Sequence, residues 1–200
     1  MVIDPSIVNT LLEVLKLKSE SLYYHSNHVA EVAKVLGSTI GCSDRECEIL
    51  QTAGYLHDIG KLGVKDSILF KTEALTRKEW EQIKLHPIMS IDILRNIGEC
   101  ENEDIFKTIL YHHENTDGSG YFGLKMKEIP LLAKILRVAD VFSAMSMDRP
   151  YKTAYPVEVS AAYASGLFTF DIQRKDIKEV LNRYKKHKSI TITKEIEVTF

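Results

Sequence analysis

The stretch Ser43-Asp44-Arg45-Glu46-Cys47-Glu48-Ile49-Leu50-Gln51-Thr52-Ala53-Gly54-Tyr55-Leu56-His57-Asp58-Ile59-Gly60-Lys61 decides how this chain folds. Its first four residues form a capping box: a serine that can accept from the backbone three residues on, and a glutamate that can reach back. The helix opened there runs into the adjacent pair His57-Asp58, and Gly60 stands where a helix would stop. Consecutive residues on a helix diverge by about 100°. Adjacent metal-type ligands therefore share a target only at a helix end, or when each addresses a different ion.

Further along, His112-His113-Glu114-Asn115-Thr116-Asp117-Gly118-Ser119-Gly120-Tyr121 repeats the theme, and His25, His86 and Asp140 stand between or beside the two pairs. Five of the seven histidines fall into this set. Imidazole nitrogen with carboxylate oxygen, and no thiolate, suits a borderline or hard divalent ion that activates water; iron, manganese, nickel and zinc all fit. A carboxylate such as Asp58 can bridge two cations, which imidazole cannot, and this favours a binuclear centre. Asp140 sits among Leu136, Val138, Ala139, Val141 and Phe142, where an unpaired carboxylate would be costly. The constellation reads as a metal-dependent hydrolase. His28 and His187 have simpler readings, as a helix-face residue and a solvated helix end.

Outside this set, helical periodicity dominates. Asp4-Pro5 reads as an N-cap and a first-turn proline ahead of Ile7, Val8, Leu11, Leu12 and Leu15. A second helix is expected over Leu22–Leu36, ending near Gly37. Thr76-Arg77-Lys78-Glu79 is another capping box, Pro87 interrupts the pattern, and Ile88–Ile97 resumes it. Helices are expected over Glu103–His113, from Pro130 to about Met147, over Pro156–Leu167 and over Arg174–His187. From Ser189 to Phe200, Ile190, Ile192, Ile196 and Val198 alternate with polar residues, as in a half-buried strand or hairpin. The expected architecture is all-α: a helical bundle over residues 1–188 with a small C-terminal β appendage over 189–200, both in one domain.

At 200 residues the chain can bury a sizeable core without disulfides. A net charge of −2 argues against nucleic-acid polymers as partners, which usually call for a basic surface. Cys42, Cys47 and Cys100 are odd in number and form no C-x-x-C pair, so they read as free thiols in a reducing compartment. Asp4-Pro5 is unlike the basic start of a signal peptide, and no apolar run is long enough to span a membrane. A cytoplasmic protein without a membrane partner is the expectation.

These residues resemble the HD phosphohydrolase superfamily, and specifically its HD-GYP branch of cyclic di-GMP phosphodiesterases. The resemblance rests on His25-Ser26, His57-Asp58-x-Gly60-Lys61, His86-Pro87, His112-His113-Glu114, Asp117-Gly118-x-Gly120-Tyr121 and Ala139-Asp140-Val141-Phe142, followed by Arg149-Pro150-Tyr151-Lys152. It implies that His25, His57, Asp58 and Asp140 hold one divalent ion, and that Asp58 bridges to a second held by His86, His112 and His113. It places Lys61 beside the bridging water and scissile phosphate, with Arg149 and Lys152 as a phosphate-binding pair. The activity implied is hydrolysis of cyclic di-GMP to linear pGpG, with GMP as a further product, by a hydroxide held between the ions. Gly118 and Gly120 read as a tight loop over the substrate or a plain helix-end turn. Tyr121 reads as a base-stacking ring or as packing, and Glu114 as support for His113 or a solvated carboxylate.

Three positions depart from the family pattern. Phe122 stands where the family name has proline, Ser143 where a second acid is common, and Ser21 where some members carry a third-metal glutamate. Two ions rather than three are expected. Two other readings remain open: an HD hydrolase of another nucleotide or phosphoester, and a ligand-sensing or interaction module with little turnover. A signalling protein partner and a homodimer, the latter paired through the β tail's edge, complete the expected associations.

Overall fold

The computed structural model describes residues 3–98, 102–147, 153–167 and 177–182. Among them the regular structure is helical, with no strand. The expected β tail, Arg149 and Lys152 lie outside the described residues, as does most of the last expected helix, of which 177–182 is helical.

Local signals set the helix starts. Asp4 caps α1 (Pro5–Lys18) by accepting the Ser6 N–H, and Ser19 does the same for α2 (Glu20–Thr39) through Leu22. Both predicted capping boxes form, opening α3 (Asp44–Leu56) and α5 (Arg77–Ile83), with the one-turn α4 (Asp66–Leu69) between them. Pro87 lies in the first turn of α6 (His86–Ile97), where its missing N–H leaves nothing unsatisfied. Asn102 caps α7 (Glu103–Leu110); α8 (Leu131–Ser146) follows Pro130 and α9 (Val157–Ala164) follows Pro156.

Several boundaries differ from the sequence expectation: α2 begins at Glu20 rather than Leu22, α6 at His86 rather than Ile88, and α9 ends at Ala164 rather than Leu167. Helix α2 runs past Gly37, which is buried within it against Leu50, and the left-handed residue that ends the turn is Gly41 at φ 84°. Helix α7 stops at Leu110, so His112 and His113 occupy the turn after it rather than its last turn.

Helix α2 packs on α3 and α8, α3 on α7, and α9 on α8. Leu36, Leu50, Leu56, Ile105, Ile109, Leu136 and Phe142 form one continuous buried core with Ile177 and Leu181. This core holds the end of α3, the start of α6, the turn after α7 and the middle of α8 against one another. No helix among the described residues is long and apolar enough to cross a membrane. Cys42 and Cys47 are free, and burial pushes the Cys42 thiol up to about 11.

Candidate metal centre

His57 is the C-cap of α3, so its ring projects from a helix end as the paired motif requires. Its Nδ1 donates to the Gly54 carbonyl at 2.8 Å. His86 Nδ1 donates to the Ile83 carbonyl at 2.8 Å and His112 Nδ1 to the Ile109 carbonyl at 2.6 Å. One device thus recurs three times: a helix-end carbonyl, left without an intrahelical partner, takes the ring N–H three residues on. Because a carbonyl only accepts, the proton sits on Nδ1 and the Nε2 lone pair faces the cluster. His25 is fixed from a distance, with Nδ1 2.9 Å from the Ser143 hydroxyl of α8.

Asp58 stands between two groups of donors. Its Oδ2 lies 3.4 Å from His57 Nε2 and 4.0 Å from His25 Nε2, and its Oδ1 lies 3.3 Å from His86 Nε2. Asp140 Oδ1 is 3.0 Å from His25 Nε2 and 4.0 Å from His57 Nε2. His113 Nε2 is 3.3 Å from His86 Nε2. One donor atom each from His25, His57 and Asp58 fall within 4.8 Å of one another, and so do one each from His86, His112 and His113. All seven residues named from the sequence therefore meet in one place.

These residues fit a cation. His57 Nε2, His112 Nε2 and Asp58 Oδ1 are buried with no hydrogen-bond partner, a deficit costing roughly 1–3 kcal/mol per atom. Nitrogen and oxygen lone pairs converging on one space are what a divalent ion satisfies. Burial pushes the His86 imidazole down to about 4 and holds His25, His112 and His113 below their ordinary value. Neutral imidazoles are the ligand form. Burial alone would raise the Asp58 carboxyl; His57 and the Lys61 ammonium, whose Nζ lies 2.6 Å from Oδ2, bring it well below the usual range. Asp140 is likewise held low against burial, chiefly by the hydrogen bond with His25.

The two halves are tied by contacts that the sequence reading missed. Ser90 on α6 donates to the His57 carbonyl at 2.9 Å and accepts the Gly60 N–H at 2.8 Å. Gly60 belongs to the 3₁₀ turn Ile59–Gly63, and a Cβ there would fall 2.1 Å from the His86 carbonyl oxygen. Arg137, one turn before Asp140 on α8, places Nη1 3.2 Å from His113 Nδ1 and 3.7 Å from Asp140 Oδ2. A cation one turn before a carboxylate in a largely apolar helix was a readable signal for it.

Glu114 is neither solvated nor bonded to His113. It is fully buried, and its two carboxylate oxygens accept the Phe122 N–H at 2.8 Å and the Leu124 N–H at 2.7 Å. Gly120 packs so close that a Cβ would lie 2.5 Å from Glu114 Cα. Gly118 takes φ 81°, a conformation glycine adopts without strain. The loop is thereby pinned so that the Tyr121 ring lies 4.4 Å from the His113 ring, with Trp80 6.1 Å away. The Phe122 departure supplies a backbone donor that proline lacks. Ser143, another of the three departures, lies 2.9 Å from His25 Nδ1 and orients that ring.

A family model described as "HD domain" matches residues 9–165. The chain belongs to the HD-domain family. It is 38% identical over 153 residues, 74% of this chain and 42% of the relative, to a cyclic di-GMP phosphodiesterase of Thermotoga maritima. It is 35% identical over 161 residues, 78% of this chain and 34% of the relative, to the 3'3'-cGAMP-specific phosphodiesterase 3 of Vibrio cholerae. It thus spans well under half the length of these curated relatives. Its fold is that of the HD domain of the L. monocytogenes phosphodiesterase PgpH, with a TM-score of 0.63 at 17% identity, covering 88% of this chain and 97% of that one.

Proposed function

We propose that this chain is a metal-dependent phosphodiesterase that opens a cyclic dinucleotide, with cyclic di-GMP as substrate and linear pGpG as first product. The carrying observation is Asp58, whose two carboxylate oxygens face different histidine groups, His25 and His57 on one side and His86 on the other. His25, His57, Asp58 and Asp140 would hold one divalent ion and His86, His112 and His113 a second, with Asp58 shared. Bound there, such ions supply Lewis acidity and a nucleophilic water at neutral pH.

The chain's own groups do the rest. The carbonyl partners hold the His57, His86 and His112 rings in one tautomer, so these three need no reorganisation when they engage a ligand. Lys61, about a fifth exposed and tethered to Asp58, can reach a phosphoryl oxygen with its ammonium. Arg149 and Lys152 would grip the substrate's second phosphate. Tyr121 offers a ring for a base. Relatives named for two different cyclic dinucleotides support the substrate class.

The test is turnover of cyclic di-GMP and of 3'3'-cGAMP by anaerobically purified protein, with metal content read on the same sample and Asp58→Ala beside it. Linear product from wild type alone, with metal lost in the variant, is the expected result. Turnover by metal-free Asp58→Ala would sink the mechanism, and inertness of the two-metal wild type toward both would overturn the substrate.

A further inference from the structure

Arg137 faces one of the proposed ligands with the wrong kind of group. A neutral imidazole has one N–H and one lone pair. For His57, His86 and His112 the Nδ1 partner is a carbonyl, so each keeps its proton on Nδ1 and offers Nε2. His25 Nε2 donates to Asp140 Oδ1 at 3.0 Å, but the hydroxyl on its Nδ1 can accept once that contact gives way to an ion. His113 Nδ1 instead meets the Arg137 guanidinium at 3.2 Å. A guanidinium has five donors and no acceptor, and it does not lose its charge in proteins. The contact therefore uses the lone pair on Nδ1 and leaves the ring proton on Nε2, the atom 3.3 Å from His86 Nε2. Ligation through Nε2 needs the opposite arrangement, in which two N–H groups would point at each other across 3.2 Å.

We propose that Arg137 sets the affinity of the His86–His112–His113 half of the centre by competing with the cation for the His113 ring. The inference rests on the reading of His113 as a ligand. The two contacts are mutually exclusive, so a bound ion must turn the guanidinium away. Asn115 Oδ1, 3.4 Å from Nη2, and Asp140 Oδ2, 3.7 Å from Nη1, are acceptors already in reach. The other half of the centre carries no such cation on an imidazole nitrogen: the side chain on His25 Nδ1 is the Ser143 hydroxyl, which can accept, and Lys61 and Arg137 meet only its carboxylates. The two halves are therefore unequal, and they fill in order.

The experiment is titration of the metal-stripped full chain with Mn²⁺ alone, following free Mn²⁺ by electron paramagnetic resonance. Wild type, Arg137→Gln, Arg137→Ala, Arg137→Lys and His113→Ala are compared, each checked for native circular dichroism. Gln can turn its carbonyl oxygen to the His113 Nδ1–H, as the backbone does for the other rings. The second ion should bind about tenfold more tightly in Arg137→Gln, the scale on which partners of metal ligands act. Arg137→Ala should tighten it less and Arg137→Lys should stay near wild type; the first ion, whose proposed ligand Asp140 Arg137 meets only at 3.7 Å, should change less than the second in Arg137→Gln and Arg137→Ala. Second-ion affinity that is unchanged or weaker in both Arg137→Gln and Arg137→Ala would overturn the proposal, since a merely structural arginine gives that result. A His113→Ala chain that still binds two ions as wild type does would overturn the ligand reading itself, and the inference with it.

Discussion

Replacing Gly60 by alanine should separate the two halves of the centre without disturbing the local backbone. Gly60 has no positive φ, so an argument from conformation alone expects no strain, and even a small gain from a stiffer unfolded chain. The tertiary structure says otherwise. The new Cβ would lie 2.1 Å from the His86 carbonyl oxygen, 2.6 Å from the Ser90 nitrogen and 2.9 Å from Met89 Cβ. The first two are backbone atoms of α6 and cannot rotate aside. Real Cβ atoms essentially never approach closer than 3.0 Å, so the turn and α6 must part by about 0.9 Å.

That movement stretches the 2.8 Å Gly60–Ser90 hydrogen bond past its useful range and strains the Ser90–His57 bond beside it. Overpacking of this kind costs about 1–3 kcal/mol, and each lost hydrogen bond about 1 kcal/mol. A total near 3–4 kcal/mol leaves a domain of this size folded but weakened. Asp58 and His86, 3.3 Å apart, would separate by a similar distance, and a misplacement of about 1 Å can cost roughly 100-fold in rate. Urea unfolding of the metal-free chain, metal content and turnover should all be measured. Wild-type metal content with stability within 1 kcal/mol would refute the reasoning and reduce Gly60 to a helix terminator.

The loop and the buried rings give two further expectations. Phe122→Pro should be about 1–2 kcal/mol less stable than Phe122→Ala, because only proline removes a donor from the buried Glu114 carboxylate. Trp80, the only tryptophan in the chain, lies beside Tyr121 and should report the loop's shift by its fluorescence; equal stability and identical emission in the two variants would refute this role. The metal-free chain should lose stability as pH falls. His86 titrates near 4 when folded against an ordinary 6.5, so between those values the unfolded chain binds the extra proton. Unfolding free energy should thus drop by about 2 kcal/mol from pH 7 to 5 through this residue alone. Urea midpoints that stay flat over that range, with wild type and His86→Ala behaving alike, would contradict it.

The helices and the chemistry of the centre were legible in the sequence because their signals are local. The Ser43 and Thr76 capping boxes and the Asp4 cap each act within one turn and formed as read, while Pro87, read as an interruption, lies in the first turn of α6. The placement of His57-Asp58 at a helix end also follows from neighbouring residues, since adjacent side chains diverge on a helix. The end of α7 was read too late because the turn at Tyr111 depends on how His112 folds back on the Ile109 carbonyl. Periodicity does not encode that bond.

What only the tertiary structure decided is which side chain serves which. Ser90 reads as an ordinary polar residue on α6, and only the packing of α6 on the turn after α3 makes it the tie between His57 and Gly60. Glu114 follows two histidines and looks like their partner; burial against Gly120 turns its carboxylate to the loop's N–H groups instead. Arg137 and His113 are far apart in sequence, and a donor facing the nitrogen of a proposed ligand is a relation between helix α8 and a turn. Residue types fix what an atom can donate or accept. Which partner it meets is settled by close packing, which brings distant segments within hydrogen-bond range and excludes the water that would otherwise serve.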